Sequence, residues 1–154
     1  RIGCLLVGDD YGVPSNLPWA ISLPNGLPVT SIETFMTHFS FLGYSREYLQ
    51  QYLINGSNNI ISVHPTQIYE MILYFMFFYL IMRYKKSLQF FKGSIFCIYL
   101  VTGGFSRFIV EFLRTNERYM FNLSSAQYVS LFMVVSGLLL FYLLKHKKVN
   151  NGIN

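Results

Sequence analysis

The chain has 154 residues, 53% hydrophobic and only 12% charged, with a formal net charge of +5. Soluble domains are about one quarter charged, so this composition argues against an ordinary soluble domain and for a membrane protein. The two cysteines, Cys4 and Cys97, lie in separate apolar stretches without metal-type spacing and indicate neither a disulfide framework nor a zinc site.

Residues 1–12, RIGCLLVGDDYG, set Arg1 beside an apolar stretch and bracket two acids with Gly8 and Gly12. Asp and Gly are turn residues, so a turn alone explains this pattern. Two adjacent carboxylates offer too few oxygens to argue for a hard cation. Residues 2–7 read as the end of a preceding span or a re-entrant turn. Residues 13–63 are rich in Pro, Gly, Asn and Ser and read as loops, with one or two short helices in IETFMTHFSFLGYSREYLQQYLI. Trp19 and the tyrosines suit a membrane interface. The chain begins with Arg and ends in a polar tail, so it is expected to be the C-terminal part of a longer protein and inactive in isolation.

HPTQIYE, residues 64–70, opens the first long apolar segment, 66–82. Pro65 fits a first helical position, His64 a cap, and Gln67 the place of a capping partner. Glu70 falls near the positive end of the helix dipole. Capping explains much of this motif, but not the clustering of Gln67, Tyr69 and Glu70 at the start of an apolar helix. His64 is an available general base.

Two further segments, 94–113 and 126–144, match the roughly 17 to 25 residues of a membrane span. Their connections are short, which makes consecutive helices antiparallel neighbours. Arg83, Lys85, Lys86 and Lys92 follow the first segment, and Lys145, Lys147 and Lys148 follow the third, with no acid in either patch. Excess positive charge marks the cytoplasmic side. Residues 1–65 and the 114–125 loop are then extracytoplasmic, and 145–154 is a cytoplasmic tail. The basic patches hug segment ends, where anionic lipid headgroups sit, and so argue against nucleic acid. The expected fold is an all-α integral membrane protein, a multi-pass helical bundle with an extracytoplasmic region of loops and short helices.

The second segment carries Arg107 and Glu111 and closes on Arg114. Gly104, Arg107, Glu111 and Arg114 share one helix face. A mid-span charge costs about 2.5 to 3.5 kcal/mol on insertion scales, so such groups should face a polar cavity and pair. One reading is a structural Arg107–Glu111 pair, with Gly103 and Gly104 allowing close packing. The other is a site for an anionic headgroup, since a guanidinium fork grips a phosphate with two parallel hydrogen bonds. Arg114 is a second phosphate contact or a snorkelling anchor.

Taken in order, RIGCLLVGDDYG, HPTQIYE and SRFIVEFLR resemble the successive motifs of the bacterial prolipoprotein diacylglyceryl transferase family, and LPWAISLPNGLP is similar to its loops. The resemblance runs from residue 1 to about 114, and the third segment fits the family's last helix. It implies a multi-pass enzyme of the bacterial inner membrane that moves the diacylglyceryl group of phosphatidylglycerol to the lipobox cysteine of a prolipoprotein. No metal or organic cofactor is implied. By the same resemblance Arg1 and Arg107 match the essential arginines, Glu111 the acidic partner of the second, Asp9 the acid of the first motif, and Gly8 and Gly12 its glycines. Many members have Asn where this chain has Cys4, so any hydrogen bond carried over for that position is in doubt. The expected catalytic set is Arg1, Arg107, Glu111 and Asp9. Arg1, Gly8, Gly12, His64, Gln67, Tyr69, Glu70, Arg107 and Arg114 are the expected substrate contacts. The competing readings are a lipid-binding relative without catalysis and a transporter subunit. A transporter should show internal repeats, and none is seen.

Overall fold

The computed structural model describes residues 1–54, 56 and 59–151. The described residues are helical, with isolated bridges but no strand. The elements are α1 (Ile2–Val7), α2 (Ile32–Thr37), α3 (Arg46–Gln50), α4 (Thr66–Arg83), α5 (Lys85–Leu88), α6 (Ser94–Glu111) and α7 (Ser125–Asn151), with single 3₁₀ turns at Ser40–Leu42 and Met120–Asn122. The chain divides into two compact units. One comprises Arg1–Met71 and Phe112–Glu117, the other Ile72–Glu111 and Arg118–Asn154.

The first unit contains the stretch that reads as loops. It has its own apolar core of Tyr11, Ile32, Phe35, Leu49, Ile61 and Val63. Tyr11 and Phe35 both pack on Phe39, at ring-centroid distances of 5.9 and 5.1 Å. Two short helices appear where expected, each with a serine cap. Ser31 Oγ accepts from Thr34 N–H at 3.1 Å, and Ser45 Oγ accepts from Tyr48 N–H at 3.2 Å. Such caps contribute about 1 kcal/mol each. Isolated bridges, Pro14 and Ile21 with Val63, Ser31 with Ile60 and Leu53 with Ile61, bind the loops where no sheet forms.

In the second unit α6 packs on α7. Small residues make that contact close. A Cβ added to Gly104 would lie 2.8 Å from the Ser130 carbonyl oxygen, and one added to Gly137 would lie 2.9 Å from Val101 Cγ2. The buried hydroxyls of Ser106 and Ser130 donate back to the carbonyls of Thr102 and Ala126, so they bring no unpaired polar group to the interface. Only 17% of the apolar part of α7 is buried. Its outward row includes Phe132, Val135, Leu138 and Leu139, a surface that water does not favour.

Two helices, Ser94–Glu111 and Ser125–Lys147, are long and apolar enough to cross a membrane. The second expected segment, 94–113, loses helical form after Glu111, and the third, 126–144, extends in both directions. The segment 66–82 is helical as Thr66–Arg83 but is not one of those two. Residues 145–151 of the expected tail continue α7, and 152–154 lie outside the described residues.

Candidate functional site

In the first unit three distant stretches of backbone are stitched together. α1 ends at Gly8, whose φ of +73° is a left-handed cap, and its N–H donates to the Cys4 carbonyl at 2.9 Å. The chain then turns through Asp9 and Asp10. The start of α4 clamps this turn: Thr66 Oγ1 donates to the Asp10 carbonyl at 2.7 Å, and Gln67 Nε2 donates to the Asp9 carbonyl. Gly12 N–H donates to the His64 carbonyl, His64 N–H to the Val13 carbonyl, and Val13 N–H to the Leu113 carbonyl. Gly12 pairs with Arg114 as a bridge, and Thr115 Oγ1 donates to the Tyr11 carbonyl. Residues 9–13, 64–67 and 113–115 are therefore one local structure.

Four charges converge on it. Arg1 Nη1 donates to Asp10 Oδ2 at 2.7 Å. Arg1 Nε and Nη2 form a two-pronged pair with the two oxygens of Glu70. Arg114 Nη2 pairs with the other oxygen of Asp10. Glu70 and Arg114 are buried, at 2% and 5% exposure. Burial disfavours the Asp10 carboxylate, but the Arg114 and Arg1 guanidiniums outweigh it and hold the group below the ordinary carboxylate value. The cluster is two guanidiniums balanced by two carboxylates.

Several expectations change in detail. Of the two adjacent acids, Asp10 pairs with Arg1, whereas Asp9, the match to the first motif's acid, does not. Asp10 takes a left-handed backbone, φ +58°, which short polar residues tolerate best, while Asp9 offers its carbonyl to Gln67. Asp9 Oδ1 is buried and has no hydrogen-bond partner. Gln67 does not complete a cap for α4, because its amide reaches Asp9 and His64 N–H is taken by Val13. Arg114 is a buried ion-pair partner and not a snorkelling anchor. Gly8 and Gly12 serve packing: a Cβ would lie 2.6 Å from Gly26 Cα at the first and 2.5 Å from the Leu113 carbonyl oxygen at the second. The thiol of Cys4 lies 3.7 Å from Asp10 Oδ2, a contact at the outer limit for sulfur. Cys4, Asp9 and Asp10 present potential ligand atoms within 4.8 Å of one another. Asp10 is committed to two arginines, and we assign no metal there.

His64 and Tyr69 belong to a separate hydrogen-bonded chain. Trp19 Nε1–H donates to Tyr69 Oη at 2.8 Å, and Tyr69 Oη meets His64 Nδ1 at 3.1 Å. Burial holds the His64 imidazole below its ordinary pKa, in favour of the neutral form.

Arg107 and Glu111 belong to the second unit. They lie one turn apart on α6, with Arg107 half-buried and Glu111 only 3% exposed. Glu111 Oε1 accepts from Ser124 Oγ at 2.7 Å.

A family model described as prolipoprotein diacylglyceryl transferase matches residues 1–143. The chain belongs to that family. Three relatives carry the name phosphatidylglycerol–prolipoprotein diacylglyceryl transferase. The protein of Clostridium tetani is 31% identical over 96% of this chain and 48% of its own length. That of Finegoldia magna is 30% identical over 96% and 45%, and that of Campylobacter hominis 29% identical over 88% and 48%. The chain spans about half the length of these curated relatives. No solved structure matches it. The family read from the three sequence motifs is thus the one to which the chain belongs.

Sequence reasoning missed Asp10, Trp19, Ser124 and Gln127. Nothing local separates Asp10 from Asp9. Ser124 and Gln127 did carry a signal, the S-x-x-Q pattern of a capping box just before an apolar run.

Proposed function

We propose that this chain is the lipid- and thiol-handling part of an inner-membrane enzyme that transfers the diacylglyceryl group of phosphatidylglycerol to the lipobox cysteine of a prolipoprotein. The observation that carries this reading is the four-charge cluster of Arg1, Asp10, Glu70 and Arg114, drawn from three family motifs. In the reaction the cysteine sulfur attacks the glycerol carbon that bears the phosphate. A carbon–sulfur bond forms, the carbon–oxygen bond breaks, and glycerol phosphate departs with the bond's electron pair. The thiol proton passes to a base.

The residues have distinct parts in this reading. Glu70 and Asp10 aim the Arg1 fork, whose remaining N–H groups address phosphate. Arg107 supplies a second guanidinium and Glu111 orients it. Positive charge at the phosphate stabilises the leaving group as its charge grows. The same field favours the thiolate, the form of cysteine that attacks. Asp9, whose carboxylate keeps a buried oxygen without a partner, and His64 are the groups for proton transfer. Gly8 and Gly12 shape the turn, and Gln67 and Tyr69 fix its surroundings. α4, α6 and α7 are the membrane spans, residues 1–65 face the extracytoplasmic side, and the C-terminus is cytoplasmic. Lipid then enters sideways from the outer leaflet.

The test uses the protein as its source cell makes it, purified in detergent with phosphatidylglycerol and a lipobox peptide. The peptide is expected to gain one diacylglyceryl group on cysteine by mass. Arg107→Lys is expected to lose most of that activity, because an ammonium cannot reproduce a two-pronged grip. An unmodified peptide from a folded, lipid-binding preparation would overturn the enzymatic reading in favour of a lipid-binding relative.

A further inference from the structure

Ser124 stands immediately before α7, inside a reciprocal pair of hydrogen bonds. Gln127 N–H donates to Ser124 Oγ at 3.3 Å, and Ser124 N–H donates to Gln127 Oε1 at 2.9 Å. This is a capping box: Ser124 N–H is satisfied by Gln127 Oε1, and Gln127 N–H is shared between Ser124 Oγ and, at 3.0 Å, the Ser124 carbonyl. A serine hydroxyl has one proton and two lone pairs. Here one lone pair accepts from the helix, and the proton goes to Glu111 Oε1, 2.7 Å away. Ser124 and Gln127 are almost fully buried, at 2% and 1% exposure. The Glu111 carboxyl group thus sits at the N-terminal end of a 27-residue helix.

Capping alone does not require a carboxylate partner for Ser124. Asn and Asp cap as well as Ser, and the box closes with nothing donated outward. What the geometry adds is a single fixed donor aimed at the one buried acid of α6. We infer that Ser124 and Gln127 are positioning residues of the transferase, which hold the Glu111 carboxyl group as an acceptor in one orientation so that it aims Arg107. This rests on the reading of Arg107 and Glu111 proposed above. It makes the start of α7, which none of the three motifs includes, part of the catalytic apparatus.

Three substitutions separate this role from helix capping. Ser124→Asn keeps a cap acceptor and supplies an N–H donor to Glu111. Ser124→Asp keeps the cap but has no donor at neutral pH and sets a second negative charge beside Glu111. Ser124→Gly removes the hydroxyl without adding charge, at little cost to capping. Diacylglyceryl transfer by the protein as its source cell makes it is expected to stay within about threefold for Ser124→Asn. It is expected to fall roughly 10- to 100-fold for Ser124→Gly, the scale of a lost bond to a charged group, and further for Ser124→Asp. The loss should appear in kcat, with KM for the lipobox peptide little changed. Equal activity of Asn and Gly variants of equal melting temperature would overturn the inference, and Gly is informative even if the Asp variant does not fold. Glu111→Gln is the control. If it is inactive while Ser124→Gly is fully active, only the positioning role fails. If Glu111→Gln is itself fully active, the reading of Glu111 fails and this inference with it.

Discussion

Asp10 and Arg114 form an ion pair between the first sequence motif and the residue that closes the third. The same carboxylate holds Arg1 with its other oxygen. A single acid therefore contacts two guanidiniums. Asp10→Asn retains the shape but removes the charge shared by both. Breaking a buried ion pair costs about 3 to 5 kcal/mol, and exposed pairs are worth about 0.2 to 1. Arg114 is buried and Asp10 about one-third exposed, so a loss of roughly 1 to 3 kcal/mol is expected between those limits. Asp9→Asn should leave the melting temperature much nearer the parent value. Thermal unfolding of the two variants in one detergent checks the contrast, and equal destabilisation would contradict it.

The pH dependence of stability follows from two depressed values. His64 has a folded-state pKa below its ordinary 6.5 through burial. Its contribution is present above about pH 6.5 and is lost as pH falls through the lower folded value, because folding then opposes protonation. Asp10 is held below its ordinary 3.8, against the effect of burial, by Arg114 and Arg1. Its contribution is intact above about pH 4 and disappears below that. Melting temperature measured from pH 8 to 3 should fall in two stages. His64→Gln should remove the first stage and leave the second.

Trp19 biases the proton positions in the chain that ends at His64. An indole N–H only donates, so Tyr69 Oη accepts from Trp19 and keeps its own proton, which we expect it to give to His64 Nδ1. Neutral His64 then carries its proton on Nε2 and presents a donor to its surroundings. Nitrogen-15 spectra of the imidazole should show the Nε2–H form in the parent and a mixture of both forms in Tyr69→Phe. A predominant Nδ1–H form in the parent would contradict the assignment.

Two glycines are sites of close approach. At Gly12 an added Cβ would meet the Leu113 carbonyl oxygen at 2.5 Å and His64 Cβ at 2.8 Å. At Gly104 it would meet the Ser130 carbonyl oxygen at 2.8 Å. Gly12→Ala should separate the strands of backbone that assemble the charge cluster and lower both stability and activity. Gly104→Ala should loosen α6 on α7. Overpacking of this kind costs about 1 to 3 kcal/mol. Gly43→Ala is the contrasting case, since nothing lies within 4 Å of its added Cβ and only its φ of +68° opposes the change. Its cost should stay near 1 kcal/mol.

The sequence by itself determined the family, the three long helices and the motifs that meet. Hydrophobic run length and local capping are short-range properties, and the order of three motifs survives without any knowledge of their contacts. Helix ends were less legible. α6 stops at Glu111 although Phe112 and Leu113 are apolar, because Leu113 gives its carbonyl to Val13 and the chain joins the first unit. Which of Asp9 and Asp10 meets Arg1 was decided by tertiary structure alone. The two are chemically alike, and only the left-handed backbone at Asp10 and the Gln67 clamp on Asp9 tell them apart. Tertiary structure likewise turned Gln67 from a helix cap into that clamp, and gave Arg114, read as a second phosphate contact or a snorkelling anchor, a buried ion pair with Asp10. Each change depends on a group far away in the chain, and local patterns hold no record of such a group.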